Sequence, residues 1–180
     1  MSSGDRLVQG LLTPGAWPHP VDELAVLETH ISWVVLTGEF AYKIKKPLEL
    51  EFLDFSTLAL RKRWCEEELR LNRRWAPQLY LDVVPITGSP EQPTVAGPGT
   101  AFEYAVRMRQ FPQSALLSAQ LESGELDTRD MRELAEMIAD RHGDAPANRD
   151  PRFASLEAIR KPMRENFLYI EPWLVAGELA

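Results

Sequence analysis

Three charged side chains in the first half of the sequence have the types and spacing needed to bind a phosphate. Lys43 and Lys45 alternate with apolar residues in the run FAYKIK, and Glu68 lies in a later segment rich in Leu, Arg and Glu. An ammonium group that a carboxylate holds between a sheet and a helix can contact the α- and β-phosphates of a nucleotide. The alternative interpretation is a structural ion pair, or a lysine and a glutamate that are both solvated.

A strand must carry the two lysines. Residues 24–50 contain three runs of apolar and β-branched residues separated by short polar turns, which predicts three strands. In the third strand a period of two places Phe40, Tyr42 and Ile44 on one face and both lysines on the other. Pro47 is expected to end it.

A helix must carry the glutamate. Residues 57–75 contain neither Gly nor Pro, and Asp54 or Ser56 precedes them as a candidate N-cap. Three of the large apolar residues recur at helical spacing and predict a buried stripe: Trp64, Leu71 and Trp75. Glu68 falls on the same stripe, so its carboxylate needs a partner.

The rest of the chain predicts an α+β fold. Residues 80–87 and 101–111 have strand character, and they bracket a Pro- and Gly-rich stretch, 88–99, that reads as a long flexible connection. The first part therefore has the order βββαββ, a five-stranded antiparallel sheet with one long helix. Helices are predicted beyond Pro112, over residues 114–121, 128–142 and 155–174. The expected domains are residues 1–111 and 112–180.

The segment from His142 to Asn148, HGDAPAN, has the residue types of a catalytic loop in which an Asp accepts a proton and an Asn binds magnesium. However, Asp144 and Asn148 are one residue too close together, Pro146 lies between them, and no Asp-Phe-Gly-like segment follows. A helix that ends at His142 and is followed by Gly143, an Asp and a Pro explains the pattern without catalysis. A degenerate active site at these residues is the weaker alternative.

Composition excludes several other functions. The formal charge of −7 opposes nucleic-acid binding, and no apolar run is long enough to cross a bilayer. A single cysteine, Cys65, excludes an internal disulfide and a Cys-based zinc site, so a cytoplasmic location is expected. His19 and His30 lack metal-ligand spacing. Neither Gly-x-x-x-x-Gly-Lys nor Gly-x-Gly-x-x-Gly is present, so no glycine loop that cradles phosphates is predicted.

Four runs resemble a known family: THISWVVLTGEFAYKIKKP, LDFSTLALRKRWCEEELRLNRRWAP, LYLDVVPITG and EYAVRMRQFP. They are similar to the N-terminal half of the aminoglycoside-phosphotransferase-like proteins, in particular a bacterial group often fused to a P-loop kinase-like domain. The likeness extends from about Val21 to Leu174. It implies a protein-kinase-like small lobe in residues 1–111 and the start of a helical large lobe in residues 112–180.

The resemblance also implies roles for single residues. Lys43 matches the phosphate-binding lysine, with Lys45 as the alternate, and Glu68 matches its helix partner. Residues 110–112 match the hinge between the lobes, where adenine would meet backbone groups of the following residues: Met108, Arg109, Gln110 and Phe111. The expected ligand is ATP with Mg²⁺.

The family's catalytic loop and magnesium-binding Asp lie further along than residue 180. The expectation is therefore a fragment of an ATP-dependent small-molecule phosphotransferase, or a small protein that has lost the chemistry, which binds nucleotide at most. The turn at residues 29–32 also contains no glycine to cover a phosphate. The alternative is a non-catalytic scaffold that binds a partner, a missing C-terminal lobe or a second copy through an apolar helical face. Candidates for that face are Ile159, Phe167, Tyr169, Ile170, Trp173 and Leu174.

Overall fold

The computed structural model describes residues 3–21 and 23–175. The chain divides into two compact units, residues 1–115 and 116–180. The first unit combines helices with an antiparallel sheet and the second is helical. The mixed α+β class predicted from the sequence is therefore confirmed. Among the helices of the described residues, none is both long enough and apolar enough to span a membrane.

The main sheet of the first unit has six antiparallel strands in the order β1-β2-β3-β8-β6-β7. Their bounds are Ala25–Glu28 (β1), Ser32–Leu36 (β2), Phe40–Lys45 (β3), Tyr80–Gly88 (β6), Pro93–Val95 (β7) and Glu103–Arg109 (β8). The three strands predicted within residues 24–50 are present, as are both later strands. Gly38 adopts the left-handed conformation with φ 91° in the turn between β2 and β3, which a glycine permits at no steric cost.

Two parts of this unit differ from the prediction. The stretch predicted as a flexible connection contains β7, which pairs with β6 through Ile86 and Val95. Val95 is buried in the core, and this burial explains why a Pro- and Gly-rich segment is ordered into a strand. A two-stranded hairpin also follows β3, formed by β4 (Glu49–Leu50) and β5 (Leu53–Asp54).

The hydrophobic core lies on one face of the sheet, beneath the N-terminal segment. Helix α1 (Ser3–Leu11) and a 3₁₀ turn (Pro14–Ala16), which the sequence did not predict, cover Tyr42 and Ile44 of β3. The contact is close, because a Cβ added at Gly4 would lie 2.4 Å from the Trp33 ring. This burial confirms the predicted apolar face of β3.

Helix α2 (Leu58–Asn72) follows on from the hairpin, and its N-cap is Thr57, whose Oγ1 accepts a hydrogen bond from Leu60 N. The prediction of Asp54 or Ser56 as the cap was wrong, because the Asp54 carboxylate instead accepts bonds from the backbone N–H and hydroxyl of Ser56. Both bonds lie within the short turn that leads from β5 into the helix.

The predicted buried stripe of α2 was also wrong. Trp64, Leu71 and Trp75 are 39%, 45% and 44% exposed. The buried residues of the helix are Arg61 and Cys65, and Glu68 continues their spacing. The reason is the surface that α2 meets: the sheet presents lysines and a buried glutamate there, so the helix buries the charged groups that can pair with them.

The second unit contains four helices in its described residues: α3 (Leu117–Ser123), α4 (Thr128–Asp144), α5 (Pro151–Ala154) and α6 (Leu156–Val175). Asp127 and Asp130 form a capping box at the start of α4. This helix continues through Gly143, so the predicted end at His142 was wrong. It ends at Asp144 because Ala145 precedes a proline and is held in an extended conformation.

Candidate functional site

Strand β3 and helix α2 place the three predicted residues in direct contact. Lys43 Nζ donates to Glu68 Oε1 at 2.8 Å, and Lys45 Nζ donates to Glu68 Oε2 at 2.7 Å. The side chain of Glu68 is 13% exposed, that of Lys45 6% and that of Lys43 29%. The carboxylate is thus shared by two ammonium groups, of which only that of Lys43 reaches the solvent appreciably.

The charges around Glu68 keep it ionised. Burial raises the pKa of the Glu68 carboxyl, but the hydrogen bonds and positive charges of Lys43 and Lys45 outweigh burial and hold the pKa below its usual value. Burial also raises the pKa of the nearby Tyr80 hydroxyl, and the negative charge of Glu68 adds to that effect. With two cations and one anion, the cluster has a net positive charge that suits an anionic ligand.

A second buried ion pair attaches the beginning of α2 to β8. Arg61 Nε donates to Glu103 at 2.8 and 2.9 Å, and its Nη1 donates to the carbonyls of Phe55 and Ser56. Cys65 lies on the same side of the helix, one turn further along. Burial raises the pKa of its thiol to about 12, so the thiol is protonated at neutral pH and is not an activated nucleophile.

The strand register places an apolar surface beside Lys43. Directly opposed residues of antiparallel strands share a face of the sheet. One row across the sheet therefore contains Leu27, Val34, Lys43 and Val106. The next row contains Leu36, Ala41 and Met108. Leu27 is 41% exposed, and Val34, Leu36 and Met108 are half-buried.

Sequence reasoning missed this surface, apart from Met108. Alternation within each strand indicates which residues share a face of that strand. Only the pairing between strands shows which of them lie beside Lys43.

The structure assigns most backbone groups of the predicted hinge to the sheet itself. The N–H of Arg109 donates to Leu79 O, and that of Gln110 donates to Glu39 O. Met108 pairs with strands on both sides. Of the four predicted residues, Phe111 alone lacks a backbone hydrogen bond within the described chain, and it is 39% exposed. The contact of these backbone groups with a base stays a prediction.

The side chain of Gln110 makes contacts that the sequence did not predict. Its side-chain Oε1 accepts hydrogen bonds from the backbone N–H groups of Thr37 and Gly38, both at 3.0 Å. The side chain therefore ties the turn between β2 and β3 to the end of β8.

The turn between β1 and β2 is closed on itself. The N–H of Thr29 donates to Ser32 O at 2.9 Å, and the N–H of Ser32 donates to Thr29 Oγ1 at 3.0 Å. These amides are used within the turn, so this segment, which includes the exposed His30, offers a phosphate fewer backbone donors than a glycine-rich loop does.

The remaining candidate residues are His142, Asp144, Asn148 and His19. His142 and Asp144 lie in the last turn of α4, and Asn148 Oδ1 accepts from Asp150 N. Throughout the described part of the chain, no hydrogen bond joins the side chains of these three residues, and no group of three or more His, Cys, Asp and Glu is placed to bind a metal. His19 instead pairs with the Tyr42 hydroxyl at 2.9 Å, which attaches the N-terminal segment to the core.

Comparison with known proteins finds relatives for most of the chain. No family model and no solved structure matches it. The chain is similar to uncharacterized proteins of Mycobacterium bovis and of two strains of Mycobacterium tuberculosis. Each is 34% identical over 134 residues, which cover 73% of this chain and 25% of the relative. The chain thus spans about a quarter of the length of the curated relatives it matches.

Proposed function

We propose that this chain is the nucleotide-binding part of an ATP-dependent, kinase-like small-molecule phosphotransferase. The observation that carries the proposal is the ion pair between Lys43 on the third strand and Glu68 on the next helix. Kinases use a lysine on their third strand, paired with a glutamate of the following helix, to hold the phosphates of ATP. In this proposal residues 1–111 are the small lobe, and residues 112–180 begin the large lobe.

The surroundings of Lys43 support a nucleotide more than a free phosphate. The apolar rows beside it contain Leu27, Val34 and Met108, which offer a partly exposed surface for a base. Lys43 lies in the same row, between Val34 and Val106, and supplies an ammonium group for the phosphates. Ligand sites commonly combine an apolar lining with a few polar groups that fix the orientation of the ligand.

The described residues that support the proposal would bind the nucleotide itself rather than its metal ion. They contain no cluster of carboxylates and histidines that would hold Mg²⁺, so the ion would arrive on the phosphates of the nucleotide. The sequence also contains no Asp-Phe-Gly-like segment after Asn148. The proposal for this chain is therefore nucleotide binding, with transfer assigned to a longer protein.

Titration with MgATP, followed by thermal unfolding, tests the proposal. A ligand present at about 100 times its Kd adds roughly 2.7 kcal/mol of stability. We expect that gain in the wild-type chain and its loss in Lys43→Ala and Glu68→Gln. Lys46→Ala is the matched control, because Lys46 adjoins the same strand but pairs with Glu28 at the other side. A wild-type chain that MgATP does not stabilise would rule the function out.

A second candidate function, a scaffold that binds a partner through the helical unit, has its own support. Ile159, Phe167 and Ile170, predicted for an apolar face, are 58%, 65% and 41% exposed. The side chains of Tyr169, Trp173 and Leu174 lie outside those that the structure describes. In this second proposal the chain self-associates through this face.

A further inference from the structure

Strand β3 carries two lysines where one ammonium group would neutralise Glu68. They occupy different surroundings. Lys45 is 6% exposed, and its Nζ also lies 4.8 Å from the centre of the buried Phe55 ring. Lys43 is 29% exposed and lies in one row with the exposed Leu27 and the half-buried Val34. One lysine is enclosed between sheet and helix, and the other is open to a ligand.

We propose that the two lysines have different roles at this site. Lys45 is a positioning residue that keeps Glu68, and with it helix α2, against the sheet. Lys43 is the ammonium group that contacts the phosphates while it stays paired with Glu68. The inference rests on the proposed nucleotide function and adds a role for a residue that the single-lysine arrangement of a kinase does not contain.

The physical reason is the cost of an unpaired buried charge. If Lys43 were the only partner, its single positive charge would be shared between the phosphates and the buried Glu68 carboxylate, and a buried charge without a full counterion is destabilising. Lys45 is bonded to the other carboxylate oxygen, Oε2, so Glu68 keeps a full counterion when Lys43 also contacts a phosphate. The second lysine therefore lowers the free-energy penalty of binding.

The first experiment observes the two side chains directly. The full chain, labelled with ¹³C at the lysine Cε, is titrated with MgATP, and the lysine signals are assigned with single Lys→Arg variants. We expect the Lys43 signal to move on binding and the Lys45 signal to stay in place. Lys46 serves as an internal reference, since it pairs with Glu28.

The second experiment measures affinity. Lys45→Met should weaken MgATP binding by about tenfold, equivalent to roughly 1.4 kcal/mol, although Lys43 is still present. Lys45→Arg, which keeps the charge near Glu68, should recover most of that loss, whereas a residue with only a packing role would not be rescued by charge. Lys46→Met should bind MgATP like the wild type.

The outcomes separate this inference from the function on which it rests. A Lys45 signal that moves as far as that of Lys43, or unchanged affinity in Lys45→Met, would overturn the division of roles while leaving nucleotide binding intact. Failure of the wild-type chain to bind MgATP would overturn both. If Lys45→Met does not fold, the titration of the wild-type signals decides the question alone.

Discussion

At the scale of single residues, the main feature is a buried carboxylate that two lysines hold in its charged form. Glu68 is one of several acidic residues on α2, and its neighbour Glu67 pairs with Arg70 at the surface. Only Glu68 faces β3, where Lys43 and Lys45 lie. The contribution of Glu68 to stability therefore comes from its position and burial, because a glutamate paired at the surface contributes little.

Glu68→Gln should lower the free energy of unfolding by about 3 kcal/mol at neutral pH, because it leaves two ammonium groups near a neutral amide. The folded-state pKa of Glu68 is below its unfolded value of 4.5. Its contribution is therefore complete above that value and is lost as the pH falls through the folded pKa. The difference between wild type and variant should shrink in acid, as urea unfolding at a series of pH values would measure.

Glu67→Gln is the matched control for that measurement. Its carboxylate pairs at the surface, so we expect little change in stability. A Glu68→Gln variant that is equally stable, or whose deficit grows in acid, would contradict the assignment of the charged pair.

At the scale of elements, α2 is attached to the sheet by charged groups along its buried side. Arg61 binds Glu103 of β8 near the start of the helix, and Glu68 binds β3 two turns later. Burial raises the pKa of the Glu103 carboxyl even though its hydrogen bonds to Arg61 act in the opposite direction. The orientation of the helix is thus specified by charge pairing, which tolerates fewer alternatives than apolar packing.

Arg61→Met and Glu103→Leu should each destabilise the protein by about 3–5 kcal/mol, because each leaves a buried charge without its partner. The double variant should lose clearly less than the sum, since it leaves neither charge. The double variant should still be less stable than the wild type, because Arg61 also binds the carbonyls of Phe55 and Ser56. Urea unfolding of the four proteins measures the coupling.

Arg63→Met serves as the comparison on the exposed side of the helix, where a small effect is expected. Additive losses in Arg61→Met and Glu103→Leu would show that the pair does not act as a unit.

At the scale of the whole molecule, the two units differ in how much apolar surface they bury. The first unit has a core under α1, whereas α3 and α4 contain no buried residue. On α6, exposed apolar residues recur three or four positions apart along one stripe: Leu156, Ile159, Met163, Phe167 and Ile170. A stripe of this kind is typical of a helix that packs against a partner.

We expect the chain to self-associate through this stripe, and analytical ultracentrifugation over a range of concentrations would measure it. Ile159→Glu and Met163→Glu should shift the chain toward monomer, because they place a charge within the buried contact. Lys161→Glu should leave association unchanged, because Lys161 is two residues after Ile159 and therefore lies on the opposite side of α6. A clean monomer at high concentration would refute the scaffold proposal in this form.

Local patterns were sufficient to predict much of the framework of the site. Alternation along residues 40–45 identified the two faces of β3, and a long segment without Gly or Pro identified α2. Lys43, Lys45 and Glu68 could be selected because each lies in an element with a clear period. These are properties of consecutive residues, so the sequence by itself determined them.

The tertiary structure decided what depends on contacts between distant segments. Strand pairing brought Leu27, Val34 and Met108 beside Lys43, and burial of Val95 made β7 a strand. The face of α2 that packs on the sheet also differed from the apolar stripe, because charges on β3 and β8 offered partners that its own sequence does not reveal. Register and charge pairing join residues far apart in the chain, and no local period encodes them.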